Sequence, residues 1–293
     1  MTHFVGHPPT RAHAPDAEPS AAAAHRLHHP FLDIVDGVYR SPPRHVGWLA
    51  RTLPSLWFYP QFFGVVFRGA RQAKRGRYDG RDWSLSSLGV LRALESAGCR
   101  FEISGIDHIA ALTTSAVFAG NHMSTLETAV LPVVIEPVRE VTFVVKQSLV
   151  DYPVFKHIMR TRNPIAVTQT NPRADLKTTL EEGAERLGRG ISVVVFPEGS
   201  RLPSHDPEKF NSIAVKLAGR AGTPLVPIAL LTNAWELGKR IPDLGRIVPQ
   251  RTIRIAFGAP RMVDGRGVQQ QQALLEFIAE HLAKWRAEDE APS

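Results

Sequence analysis

The chain has 293 residues, 43% of them hydrophobic and 22% charged, which is the composition of a folded globular protein and lies outside the disordered, fibrous and collagen-like classes. Its formal net charge of +7 leaves nucleic acid and anionic lipid headgroups both open as partners, and only the placement of the charge separates them. A single cysteine, Cys99, excludes an intrachain disulfide and suits a reducing compartment.

Residues 1–30 are rich in Ala, Pro and His without apolar periodicity and read as a disordered tail. Half of the 12 histidines lie there, but irregular spacing and the lack of cysteine partners favour a solvated tail over a metal site. No basic stretch leading into an apolar core marks a secretory signal, so cytoplasmic exposure is expected.

Trp48 to Phe67 is aromatic and apolar but broken by Arg51, Pro54 and Pro60. Only Thr52 to Phe67 is uncharged, short of the roughly 20 apolar residues of a spanning helix. Arg68, Arg71, Lys74, Arg75, Arg77 and Arg81 follow, with Asp79 the one acid among them. An aromatic wedge before a basic collar predicts that residues 31–82 lie along an anionic membrane surface, through Trp57, Phe58, Phe62, Phe63, Arg71, Lys74 and Arg75. The same text also fits a buried helical hairpin with a solvated basic face.

From Trp83 onward helices and strands alternate. Helices are expected at Leu85–Ala97, Thr125–Val133, Val154–Arg160, Ala174–Leu187, Asn211–Ala221 and Val268–Trp285. Strands are expected at Phe101–Ser104, Ser115–Ala119, Val141–Val145, Ile165–Val167, Ile191–Phe196, Leu225–Ala229 and Ile253–Phe257. Alternation of this kind predicts an α/β fold, a mostly parallel sheet covered by helices, with its site beyond the carboxyl ends of the strands.

Two loops meet that positional rule. Asn121-His122-Met123-Ser124-Thr125-Leu126-Glu127 follows an apolar strand and opens a helix. A histidine on such a turn with a carboxylate on the helix can form a dyad, the acid fixing the imidazole tautomer and steadying its cation. The spacing alone carries nothing, since His13 with Glu18 and His28 with Asp33 repeat it. Ser124 to Glu127 also spells a capping box, in which the acid only satisfies the helix start. The second loop, Phe196-Pro197-Glu198-Gly199-Ser200-Arg201, follows another apolar strand. Its Gly permits close backbone approach and its Arg offers a bidentate fork for a phosphate. Cys99, beside Gly98 at a helix end, has no motif around it and is not read as a nucleophile.

Asn121-His122 with an acid at 127, the Phe-Pro-Glu-Gly-Ser-Arg block and Val226-Pro227-Ile228 together resemble the glycerophospholipid acyltransferase family, typified by 1-acylglycerol-3-phosphate acyltransferase. The resemblance runs from about Trp83 to Val263 and makes 83–293 the acyltransferase domain. It implies that His122 takes the proton of an acceptor hydroxyl, that Glu127 orients it, and that Glu198, Gly199, Ser200 and Arg201 bind the substrate phosphate. It further places Val226-Pro227-Ile228 near the acyl chain, matches Lys146 to the opening Lys of the second motif, and matches the apolar and basic N-terminal segment to docking helices. The implied partners are an acyl thioester donor (acyl-CoA or acyl carrier protein), a lysolipid acceptor and the cytoplasmic face of a membrane.

Three departures stand out. Glu127 occupies a position that is usually Asp, Pro153-Val154-Phe155-Lys156 lacks the usual Gly, and Ile165 to Gln169 lacks the Asp-Arg pair whose Arg commonly holds the acceptor phosphate, leaving Arg173 as a loose substitute. An acceptor without a glycerophosphate, such as a lyso-aminolipid, and a lipid-binding homologue with impaired catalysis are therefore the alternatives. An activated thioester needs only a base, so neither a covalent intermediate nor a metal or other cofactor is required. Nucleic acid is disfavoured because the basic run follows an apolar wedge instead of interleaving with aromatics. A serine hydrolase, a Walker loop and a dinucleotide site lack their glycine signatures.

Overall fold

In the computed structural model, which describes residues 26–152 and 155–290, the chain enters the sheet earlier than its composition suggests. The expected tail lies outside the described residues up to residue 25, but Arg26–Leu27 (β1), Ile34–Val35 (β2) and Val38–Arg40 (β3) are antiparallel strands that extend the sheet through β3 against Phe101–Ser104 (β4). The boundary at residue 30 is corrected accordingly. Asp36 and Gly37 both have positive φ between β2 and β3, the two-residue hairpin that an Asp-Gly pair favours. His29 is also built in, its Nδ1 accepting the Phe31 and Leu32 N–H groups at 3.3 and 3.1 Å.

After β3 come helices Trp48–Thr52 (α1), Pro54–Lys74 (α2) and Gly80–Ser96 (α3). Beyond β4 follow α4 (Ile106–Ala110), β5 (Val117–Gly120), α5 (Leu126–Ile135), β6 (Val141–Lys146), α6 (Gln147–Asp151), α7 (Lys156–Thr161) and β7 (Ile165–Val167). The chain continues through α8 (Pro172–Gly188), β8 (Ser192–Val195), α9 (Ile213–Ala221), β9 (Leu225–Leu231), β10 (Ile253–Phe257) and α10 (Val268–Glu290). The ten strands lie in the order β1-β2-β3-β4-β10-β9-β5-β8-β6-β7. Pairing is parallel from β9 through β5, β8 and β6 to β7 and between β4 and β10, while β10 runs antiparallel to β9. This is the predicted α/β class.

Strands β5, β8, β9 and β10 are buried along their whole length, as near-continuous apolar runs covered on both faces must be. Phe118 and Val194 point into a core shared with α2, α3 and α5; Val117, Ala119 and Val193 point into a second core under α8, α9 and α10.

The aromatic segment resolves largely into the buried hairpin. Phe58 is 0% exposed and packs edge-on against Trp235, itself 1% exposed, with ring centroids 4.9 Å apart; Phe62 joins them at 5.2 Å. Both are core residues, which corrects their assignment to a membrane face. Phe63 is half-buried, and Trp57, 39% exposed, donates from Nε1 to Ser96 Oγ at 3.0 Å. The apolar side chains that do face outward are Trp48, Leu49, Leu53, Leu56 and Phe67. Arg71, Lys74 and Arg75 are exposed at the far end of α2, about 25 Å along the axis from Trp57 at 1.5 Å per residue. Among the described residues no helix is long and apolar enough to cross a membrane.

Phe58→Ala should therefore act as a core truncation, lowering the unfolding free energy by about 3–5 kcal/mol in a urea titration. Vesicle affinity of the folded fraction should not change. A membrane-contact phenylalanine would give the opposite pair of results.

Candidate active site

Gly120 ends β5 where a Cβ would sit 2.7 Å from the Ile228 carbonyl oxygen, so only glycine lets β5 and β9 run this close. Asn121 then locks onto β9: its Nδ2 donates to the Leu230 carbonyl at 2.8 Å and its Oδ1 accepts the Leu230 N–H at 2.9 Å. With that residue fixed, the turn delivers His122 to the carboxyl end of the parallel strands, the position expected for a site in such a sheet.

The His122 ring lies flat on Phe196, with centroids 4.3 Å apart and planes within 7°. Its Nδ1 is buried and stands 3.4 Å from Glu127 Oε2, longer than a normal hydrogen bond. Nε2 is thus the ring nitrogen left to face the cavity. Glu127, in the first turn of α5, is fully buried. It accepts the Met123 and Ser124 N–H groups, each at 3.0 Å, and the hydroxyls of Ser124 and Thr232. Burial alone would push its pKa up, but His122, the Thr232 hydroxyl and the backbone donors outweigh burial and hold it below the usual glutamate value. The carboxylate sits where both readings of Glu127 need it. It caps the start of α5 as one arm of a capping box, while Ser124 Oγ accepts from Leu126 rather than from residue 127, and it backs the histidine.

Glu198 is placed differently from expectation. Its side chain is fully buried and absent from the cavity wall: Oε2 accepts the His122 N–H at 2.8 Å, and Oε1 meets His205 Nδ1 at 2.7 Å and the Asp206 N–H at 3.2 Å. It is a framework group and not a phosphate contact, as a carboxylate beside a phosphate would be repelled. Gly199, at φ +70°, turns the loop back and accepts Gln169 Nε2 on its carbonyl. Arg201 reaches the cavity but is not a free fork, since Nη1 donates to Asp243 Oδ1 at 2.6 Å and also to Thr125 Oγ1. Lys146, exposed at the end of β6, lines the same cavity with Gly199, Ser200 and Arg201. Arg173 is exposed on α8 and does not line it. Pro153 and Val154 of the second motif lie outside the described residues.

The cavity holds about 730 Å³ and continues from this cationic end into an apolar interior walled by Phe62, Val65, Trp83, Phe143, Leu149 and Ile158. Val226-Pro227-Ile228 is inside β9, buried in the sheet, and takes no part in the wall, which corrects its placement beside an acyl chain. Cys99 is buried, and burial pushes its thiol up to about 12, out of the nucleophilic range. Thr232, His205, Asp243 and Phe196 are the site residues missed from sequence. Phe196 and Thr232 carried a signal, the first opening the second motif loop and the second lying just past a predicted strand at its carboxyl end; His205 and Asp243 lie in Pro- and Gly-containing loops without periodicity.

The Acyltransferase domain family matches residues 100–231. A protein of Pseudomonas aeruginosa named 1-acyl-sn-glycerol-3-phosphate acyltransferase is 32% identical over 193 residues, which is 66% of this chain and 70% of that protein. The chain belongs to the glycerophospholipid acyltransferase family. A probable enzyme of the same name from Mycoplasma pneumoniae is 31% identical over 42% of this chain and 47% of its own length. The fold is shared with the crystal structure of the 1-acyl-sn-glycerophosphate acyltransferase PlsC of Thermotoga maritima, at a TM-score of 0.56 and 19% identity, covering 82% of this chain and 96% of that one. The family match thus spans β4 to β9 and contains both motif loops, and the protein is an acyltransferase.

Because Glu127 has a lowered folded pKa, its contribution to stability is present above about pH 4.5, its ordinary value, and is lost as the pH falls through the folded value. Glu127→Gln should flatten that acid slope in urea midpoints. At neutral pH it should cost about 1–3 kcal/mol, because an amide NH2 then faces backbone donors.

Proposed function

We propose that this acyltransferase moves a fatty acyl group from coenzyme A or acyl carrier protein to the free hydroxyl of 1-acylglycerol-3-phosphate, working at the cytoplasmic face of a membrane. The observation that carries the reading is one cavity in which His122 stands between a cationic end, Lys146 and Arg201, and an apolar interior sized for a lipid chain. The relatives named 1-acyl-sn-glycerol-3-phosphate acyltransferases support the acceptor.

In this mechanism the acceptor lies with its phosphate toward Lys146 and Arg201 and its chain in the interior. His122 Nε2 takes the proton of the hydroxyl as the oxygen forms its bond to the thioester carbonyl carbon. Glu127, anionic behind the ring, steadies the imidazolium. The tetrahedral intermediate collapses by breaking the carbon–sulfur bond, and the imidazolium returns its proton to the departing thiolate. Phe196 and the backbone ties of residue 122 keep the ring in place throughout.

A second acceptor is favoured by one contact. Asp243 beside Arg201, 2.6 Å away and half-exposed in the cavity wall, half-neutralises the phosphate end and suits an acceptor bearing an ammonium group, such as a lyso-aminolipid.

His122→Ala should lower turnover by about 10²-fold or more, read as thiol release from an acyl thioester. An unchanged rate would remove His122 from the role of base, and no thiol release from the parent itself would leave a lipid-binding protein. Arg201→Ala separates the acceptors: removing a charge-assisted contact of roughly 1.5–3 kcal/mol should raise the KM of a phosphorylated acceptor about ten- to a hundredfold and leave the donor KM unchanged. Asp243→Asn should lower that acceptor KM. If the parent enzyme prefers an ammonium-bearing lysolipid and Asp243→Asn abolishes that preference, the second acceptor is the right one.

A further inference from the structure

A second cavity, of about 450 Å³, opens beside α1 and is separate from the one holding His122. Its polar lining is Arg44, His45, Arg51, Arg100 and Gln250, and no acidic side chain lines it. Arg44 is 3.8 Å from Glu95, but that buried carboxylate is already bound by Arg92 at 2.7 Å and by the hydroxyls of Tyr39 and Ser41, each at 2.6 Å. Among the described residues neither Arg51 nor Arg100 has a carboxylate within ion-pair distance. Three guanidinium groups from three separate segments therefore converge with little to neutralise them, an arrangement whose natural occupant is a phosphate.

The surroundings decide which phosphate. Arg51 shares α1 with Trp48 and Leu49, and the next turn adds Leu53, Leu56 and Trp57; Trp48 is 76% exposed and Leu56 67%. A soluble anion has no use for that apolar margin, whereas a phospholipid presents a phosphate directly above acyl chains, with indoles favoured at that depth.

Topology puts this cavity on the catalytic side. Arg100 leads into β4 and Gln250 precedes β10, and the starts of these parallel strands pair with each other. The start of β10 pairs with the end of β9, Arg254 opposite Leu231, next to Thr232, whose hydroxyl binds Glu127. Both cavities therefore lie at the same end of the sheet, β4 and β5 being three strand spacings apart, about 14 Å. Ser55 Oγ accepts the Ile247 N–H at 3.0 Å and Tyr59 donates to the Gly245 carbonyl, tying the start of α2 to the 237–248 segment that contributes Leu237, Gly238, Pro242 and Asp243 to the catalytic cavity.

We propose that the Arg44, Arg51 and Arg100 cavity binds the headgroup phosphate of an anionic phospholipid and, with Trp48, Leu49, Leu53 and Leu56 entering the interface, seats the catalytic mouth on the membrane. The docking charge is then this cavity and not the Arg71, Lys74 and Arg75 cluster. The proposal rests on the membrane-surface reading of the enzyme.

The test is sedimentation of the full-length protein with phosphatidylcholine vesicles, with and without phosphatidylglycerol, for the parent, Arg51→Gln/Arg100→Gln and Lys74→Gln/Arg75→Gln. The cavity variant should lose about ten- to thirtyfold of its affinity for the anionic vesicles, keep its affinity for the neutral ones, and melt at the parent temperature. The Lys74 and Arg75 variant should bind like the parent. Turnover of a short-chain lysolipid below its micellar concentration should be unchanged in the cavity variant, and turnover of vesicle-embedded acceptor should fall. Parent-like binding of the cavity variant to anionic vesicles overturns the proposal, as does loss of binding only in the Lys74 and Arg75 variant. A raised KM for acyl coenzyme A in the vesicle-free assay also overturns it, assigning the cavity to the phosphates of the donor. Failure of the parent to turn over the short-chain acceptor would instead sink the proposed reaction, and the vesicle measurements stand apart from it.

Discussion

A carboxylate removed from water is tolerated only where donors replace the lost hydration. Glu198 has a fully buried side chain and finds its donors in the His122 N–H, the His205 ring and the Asp206 N–H. The first belongs to the loop after β5 and the others to the loop after β8, and these strands are neighbours in the sheet. Satisfying one buried charge therefore fixes one loop against the other. Leu202 returns the tie by donating to the His122 carbonyl at 2.8 Å. The residue carrying the imidazole is gripped through both of its backbone groups, while Phe196, two residues before Glu198, supplies the surface on which the ring rests. An imidazole held by its own main chain is pre-organised, and that placement is what the proposed proton transfer requires.

The same economy explains why the α1–α2 segment is apolar on almost every side. Phe58 and Phe62 close over Trp235, and Phe62, Val65 and Val66 then face the cavity. The helix is thus core on one side and substrate wall on an adjoining one. Its first turn and α1 put Trp48, Leu53 and Leu56 outward. Three apolar duties on one short stretch erase the polar stripe by which an amphipathic surface helix is recognised.

This is where sequence and structure part. The central strands and the long helices were legible because burial on two faces or one imposes apolar periods of its own, so β4, β7 and β10 begin and end where the alternation does. His122, Glu127, Lys146, Gly199, Ser200 and Arg201 were legible by strand-end position and by resemblance, and the structure brings them together. Glu198 was misread because a motif reveals which residues recur and says nothing about which way a side chain turns. The β2–β3 hairpin was in reach through its Asp-Gly turn but lay inside residues 31–82, the stretch read as a membrane-docking segment. Asp243 and His205 stayed hidden because a side-chain contact made by loops is a tertiary fact, set by how the sheet order brings residue 243 to residue 201 and by how the loop after β8 folds residue 205 back onto residue 198.

Glu127 shows how the fold absorbs a departure from the family's usual aspartate. The extra methylene carries the carboxylate deep enough to take the Thr232 hydroxyl at the end of β9 while still capping α5 through Met123 and Ser124. Its position is therefore set by the backbone and by Thr232, and His122 Nδ1 meets it at 3.4 Å as a consequence. A carboxylate already saturated with donors is a poor proton acceptor and stays anionic when the imidazole gains its proton. In the proposed mechanism Glu127 then stabilises the imidazolium through charge alone, without sharing its proton.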